Sequence, residues 1–140
     1  MNTTSTTSIN TRADYAAFLL RLGMGLLFLV HAGLKVFVFT PAGTVAFFAS
    51  LGVPGWFAYP VIALEVIGGI ALVIGYYGRW LAIPLAIDLL AAIVLVHGPA
   101  GFFFTNPNGG WEYLALWIVG LIAVFLLGDG AFAIKRDRRA

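Results

Sequence analysis

The sequence predicts an all-α membrane protein: a bundle of four transmembrane helices, both termini in the cytoplasm, with a short interfacial helix in the first outer loop. Three observations predict it. Of the 140 residues 61% are hydrophobic and only 10% charged, whereas a soluble domain carries about 25% charged residues. Mean hydropathy is +0.99, with apolar residues spread over nearly the whole chain, so no polar half is left to fold in water. Finally, four apolar stretches approach the ~20 residues a helix needs to cross the hydrocarbon.

The elements follow in order. Residues 1–12 are rich in Thr, Ser and Asn without apolar periodicity and read as a disordered tail. A transmembrane domain follows over 13–130, with spans at 15–39, 59–77, 79–97 and 112–128, and residues 131–140 form a basic cytoplasmic tail. Only Gly78 separates the second and third spans, so they are expected to form a tight antiparallel hairpin. The stretch 114–127 contains no polar residue, which excludes a soluble amphipathic helix there. In the first outer loop, Val45, Phe47, Phe48 and Leu51 mark an interfacial helix over 44–51, ended by Gly52-Val53-Pro54-Gly55.

Orientation is read from Lys and Arg. Segments 40–58 and 98–111 contain neither, while Arg12, Arg79 and the run from Lys135 to Arg139 hold most of them. The positive-inside rule then puts both termini and Arg79 in the cytoplasm. Arg21, inside the first span, is expected to snorkel toward the same side. This scatter of basic residues is not a phosphate-binding stripe, so no nucleic-acid partner is expected. The absence of cysteine removes disulfides, thiolate metal sites and dithiol redox chemistry. No metal site is expected.

A charge at mid-bilayer costs roughly 2.5–3.5 kcal/mol, so intramembrane ionisable residues need a partner or a function. Here His31, Lys35, Glu65, Asp88, His97 and Glu112 cluster toward the outer half. On an ideal helix Arg21, His31 and Lys35 fall within about 80°. Glu65, Gly68 and Gly69 share a face that another helix can approach closely. Lys35 has Glu65 or Glu112 as a candidate ion-pair partner fixing register, and His31 has Asp88. Pro84 frees the Trp80 carbonyl one turn before Asp88. Asp88 and His97 lie about 180° apart on an ideal helix and are not expected to share a site. A bis-histidine haem is disfavoured, because His97 belongs at the membrane edge.

The ordered set His31-Ala32-Gly33-Leu34-Lys35, Phe47 to Pro54, Leu64-Glu65-Val66-Ile67-Gly68-Gly69, Gly75, Arg79, Asp88, Ala92, His97-Gly98, Gly101-Phe102-Phe103, Gly110-Trp111-Glu112-Tyr113 and Gly128-Asp129-Gly130 resembles the DoxX family of small membrane proteins. The resemblance implies a four-helix bundle in the cytoplasmic (inner) membrane of a bacterium or archaeon and an association with quinone-linked respiratory enzymes, including membrane subunits of thiosulfate:quinone oxidoreductase. Distantly similar proteins that work through paired cysteines lend nothing to a chain without them.

The candidate site is therefore His31, Lys35, Glu65, Asp88 and Glu112, as a quinone-binding or proton-relaying group. Imidazole and carboxyl groups supply hydrogen bonds and protons to a quinone head group, and Lys35 offsets negative charge on it. Partners on this reading are the lipid bilayer and other membrane or peripheral redox subunits, or a second copy of the chain. Two alternatives stay open: a non-catalytic scaffold or assembly subunit, and a small-molecule or proton-coupled transporter.

Overall fold

A computed structural model gives the fold and describes residues 10–135. The expected tails at 1–12 and 131–140 fall largely outside the described residues.

Helix α1, Arg12–Gly33, starts at a capping box in which Thr11 N donates to Asp14 Oδ2 at 2.8 Å and Asp14 N donates to Thr11 Oγ1 at 3.3 Å. It runs directly into a π-helical turn, Leu34–Val38, closed by Phe39 N donating to Leu34 O at 2.8 Å. Thr40 breaks this path with φ 64° and caps α2, Pro41–Ser50, accepting from Gly43 N at 3.2 Å. Pro41 suits a first helical position, where its missing N–H would have no partner anyway. The expected loop helix is thus present, starting three residues earlier than its apolar pattern. A 3₁₀ turn, Gly55–Phe57, leads into α3, Ala58–Ile74. Helix α4, Gly78–Ala92, continues through Pro84 into a second π-helical turn, Ile93–His97, and α5 is Glu112–Leu127.

Three of these helices are long and apolar enough to cross a membrane: Arg12–Val38, Gly55–Ile74 and Gly78–His97. This corrects the expectation of four transmembrane helices. Helix α5 is equally apolar, but its 16 residues reach only about 24 Å at 1.5 Å per residue, short of a ~30 Å hydrocarbon core. The expected span at 112–128 is already this short; the helix ends where Gly128 turns the chain at φ 79°. Placing both termini in the cytoplasm rests on an even number of crossings and falls with the fourth.

The buried core joins Phe28 of α1, Leu72 of α3, Leu85 and Leu89 of α4, and Leu114, Trp117, Leu121 and Val124 of α5. Outward residues are equally apolar: Leu19 is 66% exposed, Leu116 73% and Leu126 71%. A surface of that kind matches lipid, and the protein is a multi-pass membrane protein. Helices α1 and α3 meet backbone to backbone, since a Cβ on Gly25 would lie 2.7 Å from Gly69 O. A Cβ on Gly68 would lie 2.8 Å from Leu85 of α4, so the glycine face carrying Glu65 is the buried one. Gly25→Ala should therefore cost about 1–3 kcal/mol through overpacking, measured by thermal unfolding in detergent. Gly23→Ala, where a Cβ meets nothing within 4 Å, should be neutral or slightly stabilising.

At one end of the bundle the hairpin between α3 and α4 differs from the expected single-residue break. Helix α3 stops at Ile74 because Gly75 takes φ 69°, Tyr77 follows at φ 53°, and Gly78 already belongs to α4. Arg21 does not snorkel. It is fully buried, donating to Leu72 O at 2.8 Å, Val73 O at 2.7 Å, Asp129 O at 2.6 Å and Ala131 O at 2.8 Å. The guanidinium fork thus caps the C-terminus of α3 and ties down the segment after α5. Beside it, Asp129 Oδ1 accepts from Arg79 N at 3.0 Å, and Arg79 Nε donates to Phe125 O at 2.9 Å.

Candidate functional site

Far from Arg21, the helices enclose a cavity of about 710 Å³, within the size range of small-molecule sites. Its walls are mostly apolar and include Phe47 and Phe48 of α2, Leu51 just after it, and Leu89, Ala92 and Leu95. Thr44 anchors α2 there: it is buried, and its Oγ1 donates to Thr40 O at 3.0 Å and lies 3.3 Å from Lys35 O.

Polar side chains line the cavity from four helices: His31, Lys35, Glu65, Asp88, His97 and Tyr113. Lys35 Nζ donates to both carboxylate oxygens of Glu65, at 2.9 and 2.8 Å, and only 5% of the Glu65 side chain is exposed. Of the two acids open to Lys35, the structure selects Glu65. Asp88 lies close enough to Lys35 and Glu65 to interact electrostatically with both. One ammonium and two carboxyls carry either a net negative charge or a proton shared within the group.

His31 is not bonded to Asp88. Its Nδ1 lies 2.9 Å from Leu27 O, one turn back on its own helix, and its ring rests on Trp117 with centroids 5.0 Å apart. His97, expected at the membrane edge and on the opposite helix face from Asp88, instead lines the same cavity. The π-helical turn Ile93–His97 is the reason. Its i→i+5 bonding rotates the chain less per residue than an α-helix does, so the phase computed for an ideal helix no longer holds. The loop after it holds His97 in place, through Nδ1 at 2.8 Å from Gly109 O, and the ring packs on Tyr113 with centroids 5.7 Å apart.

Four of the five expected site residues, His31, Lys35, Glu65 and Asp88, therefore share one cavity. Glu112 does not line it; its Oε1 accepts from Phe104 N at 3.2 Å at the start of α5. His97, Tyr113 and Trp117 line it without having been expected. Tyr113 and Trp117 are spaced i, i+4, a pattern that marks one helix face but that core and lipid-belt aromatics share. Among the described residues no three His, Asp or Glu side chains converge to hold a metal ion. What these groups offer is hydrogen bonding and proton transfer.

The chain is 35% identical over 108 residues to CatD of Bacillus subtilis, named as a candidate oxidoreductase, covering 77% of each chain. It is 29% identical over 127 residues to the uncharacterized membrane protein Rv3486 of Mycobacterium tuberculosis, covering 84% of this chain and 77% of that one. With an uncharacterized protein of Haemophilus influenzae it shares 29% identity over 130 residues, 91% of this chain and 92% of the other. No solved structure matches it. The sequence pattern of the DoxX family matches residues 16–98, the stretch that holds both π-helical turns and His31, Lys35, Glu65, Asp88 and His97: the chain belongs to the DoxX family.

Proposed function

We propose that the cavity binds the head group of a quinone or quinol, and that the chain serves as an integral subunit of a membrane oxidoreductase. The observation that carries this reading is the meeting of His31, Lys35, Glu65 and Asp88, from three different helices, around one largely apolar cavity of about 710 Å³. Apolar walls suit a ring and its hydrocarbon tail, and a few polar groups orient it. A bound quinone supplies the two-electron, two-proton chemistry itself. The protein's share is to hold the ring and to move protons: Asp88 and Glu65 can exchange one between them, and Lys35 offsets negative charge beside them. The similarity to CatD, whose name refers to oxidoreductase activity, supports a redox-linked role, with the electron partner on another subunit.

The test is titration of decylubiquinone and decylubiquinol into the purified protein in nanodiscs. Ala92→Phe, which fills the cavity, and His31→Ala should each weaken binding of the preferred form at least about tenfold, the equivalent of roughly one hydrogen bond or a comparable packing loss. Glu112→Ala should bind as the parent does. Failure of the parent to bind either form, or equal binding by all variants, would overturn the reading and favour a non-catalytic scaffold.

A further inference from the structure

We infer that the cavity selects the reduced, hydroxyl-bearing form of its ligand over the oxidised, carbonyl form. This rests on the quinone-site reading and adds the redox state the site prefers. The argument starts from the two imidazoles. A carbonyl oxygen can only accept, so a ring nitrogen bonded to one must carry the proton. His31 Nδ1 is 2.9 Å from Leu27 O, and His97 Nδ1 is 2.8 Å from Gly109 O. A neutral imidazole holds one N–H, so in both rings Nε2 is left as a bare lone pair.

The carboxyl groups add to the same side. Glu65 takes the Lys35 ammonium on both oxygens, and Asp88 approaches it as a second carboxyl. The ammonium is thus directed chiefly at Glu65, while both imidazoles line the cavity with Nε2 as their remaining acceptor. On the donor side Tyr113 contributes a hydroxyl, and the Lys35 ammonium keeps one N–H beyond the two that Glu65 takes.

A quinone oxygen only accepts. Set against Nε2 or a carboxylate, it meets lone pair with lone pair, and a buried group left without a partner costs about 1–3 kcal/mol. A quinol hydroxyl donates to those acceptors and still accepts from Tyr113 or Lys35. Tighter binding of the reduced form raises the midpoint potential of the bound couple by about 30 mV per tenfold of selectivity.

The experiment compares decylubiquinol, decylubiquinone and the dimethyl ether of the quinol, titrated anaerobically at pH 8 into the unmodified protein in nanodiscs. Quinol should bind at least about tenfold tighter than quinone, and the ether, which has lost both donors, should lose that advantage. His31→Ala and His97→Ala should each lower quinol affinity more than quinone affinity, shrinking the ratio between the two. Nitrogen-15 NMR of the labelled histidines should show Nδ1 protonated and Nε2 bare in both rings. Equal binding of the two redox forms, tighter quinone binding, or protonated Nε2 would overturn this inference and leave the quinone site itself standing. Binding of neither form would overturn the site.

Discussion

Lys35→Met should destabilise the bundle by about 3–5 kcal/mol, and adding Glu65→Gln should restore part of that loss. The Lys35 ammonium lies 2.8 Å from a Glu65 carboxylate that is almost entirely buried, and Asp88 stands within range of both. Removing the ammonium leaves two carboxyls facing one another in a low-dielectric interior with no cation between them. Replacing Glu65 as well removes one of the two, and a single carboxyl beside a cavity is far easier to accommodate. The measurement is unfolding in detergent for the parent, both single variants and the double variant. Strictly additive effects would mean that the two groups do not act as a pair. The same set bears on geometry: Lys35 lies in the π-helical turn Leu34–Val38, so its tie to α3 sets the register of that turn against Glu65.

Arg21→Met should be at least as damaging, at about 4 kcal/mol or more. Four backbone carbonyls depend on this one guanidinium, at 2.6 to 2.8 Å, and each carbonyl left buried without a donor costs about 1–3 kcal/mol. Relaxation of the segment after α5 recovers part of that sum. Arg21→Lys should rescue little, because a single ammonium cannot span carbonyls that the planar fork reaches in several directions. Hydrogen exchange locates the effect: the Ala131 amide, which donates to Asp14 O at 3.0 Å, should lose protection before the core amides of α4 do. Ligand affinity of the folded fraction should stay unchanged, since Arg21 does not line the cavity. A loss of affinity without a loss of stability would show that the two ends of the bundle are coupled.

The candidate site was legible in part because burying charge in a membrane is costly enough to single out residues one at a time. His31, Lys35, Glu65 and Asp88 could be picked out on that ground without knowledge of their neighbours. Which acid meets Lys35 could not. Glu65 and Glu112 both lie toward the outer half, and the close approach of α1 to α3 at Gly25 and Gly69 is what brings Glu65 within 2.8 Å. His97 was misassigned for a different reason. Helical phase was extrapolated over nine residues, and a single wider turn at Ile93–His97 is enough to invalidate it.

Composition by itself determined that this chain lives in a membrane, because 10% charged residues cannot cover a water-facing surface, and that property depends on no particular contact. It also determined where the apolar helices run, and that one helix face carries Glu65 with Gly68 and Gly69. The shortness of the last helix was in the sequence as well: the expected run 112–128 and the observed Glu112–Leu127 differ by one residue, and at 1.5 Å per residue neither reaches across a ~30 Å core. How Lys35 chooses its acid and where His97 points were decided by the tertiary structure. Arg21 was decided there too: snorkelling to water and capping buried carbonyls both satisfy a guanidinium, and the choice between them lies with the Leu72, Val73, Asp129 and Ala131 carbonyls that distant parts of the chain bring to it.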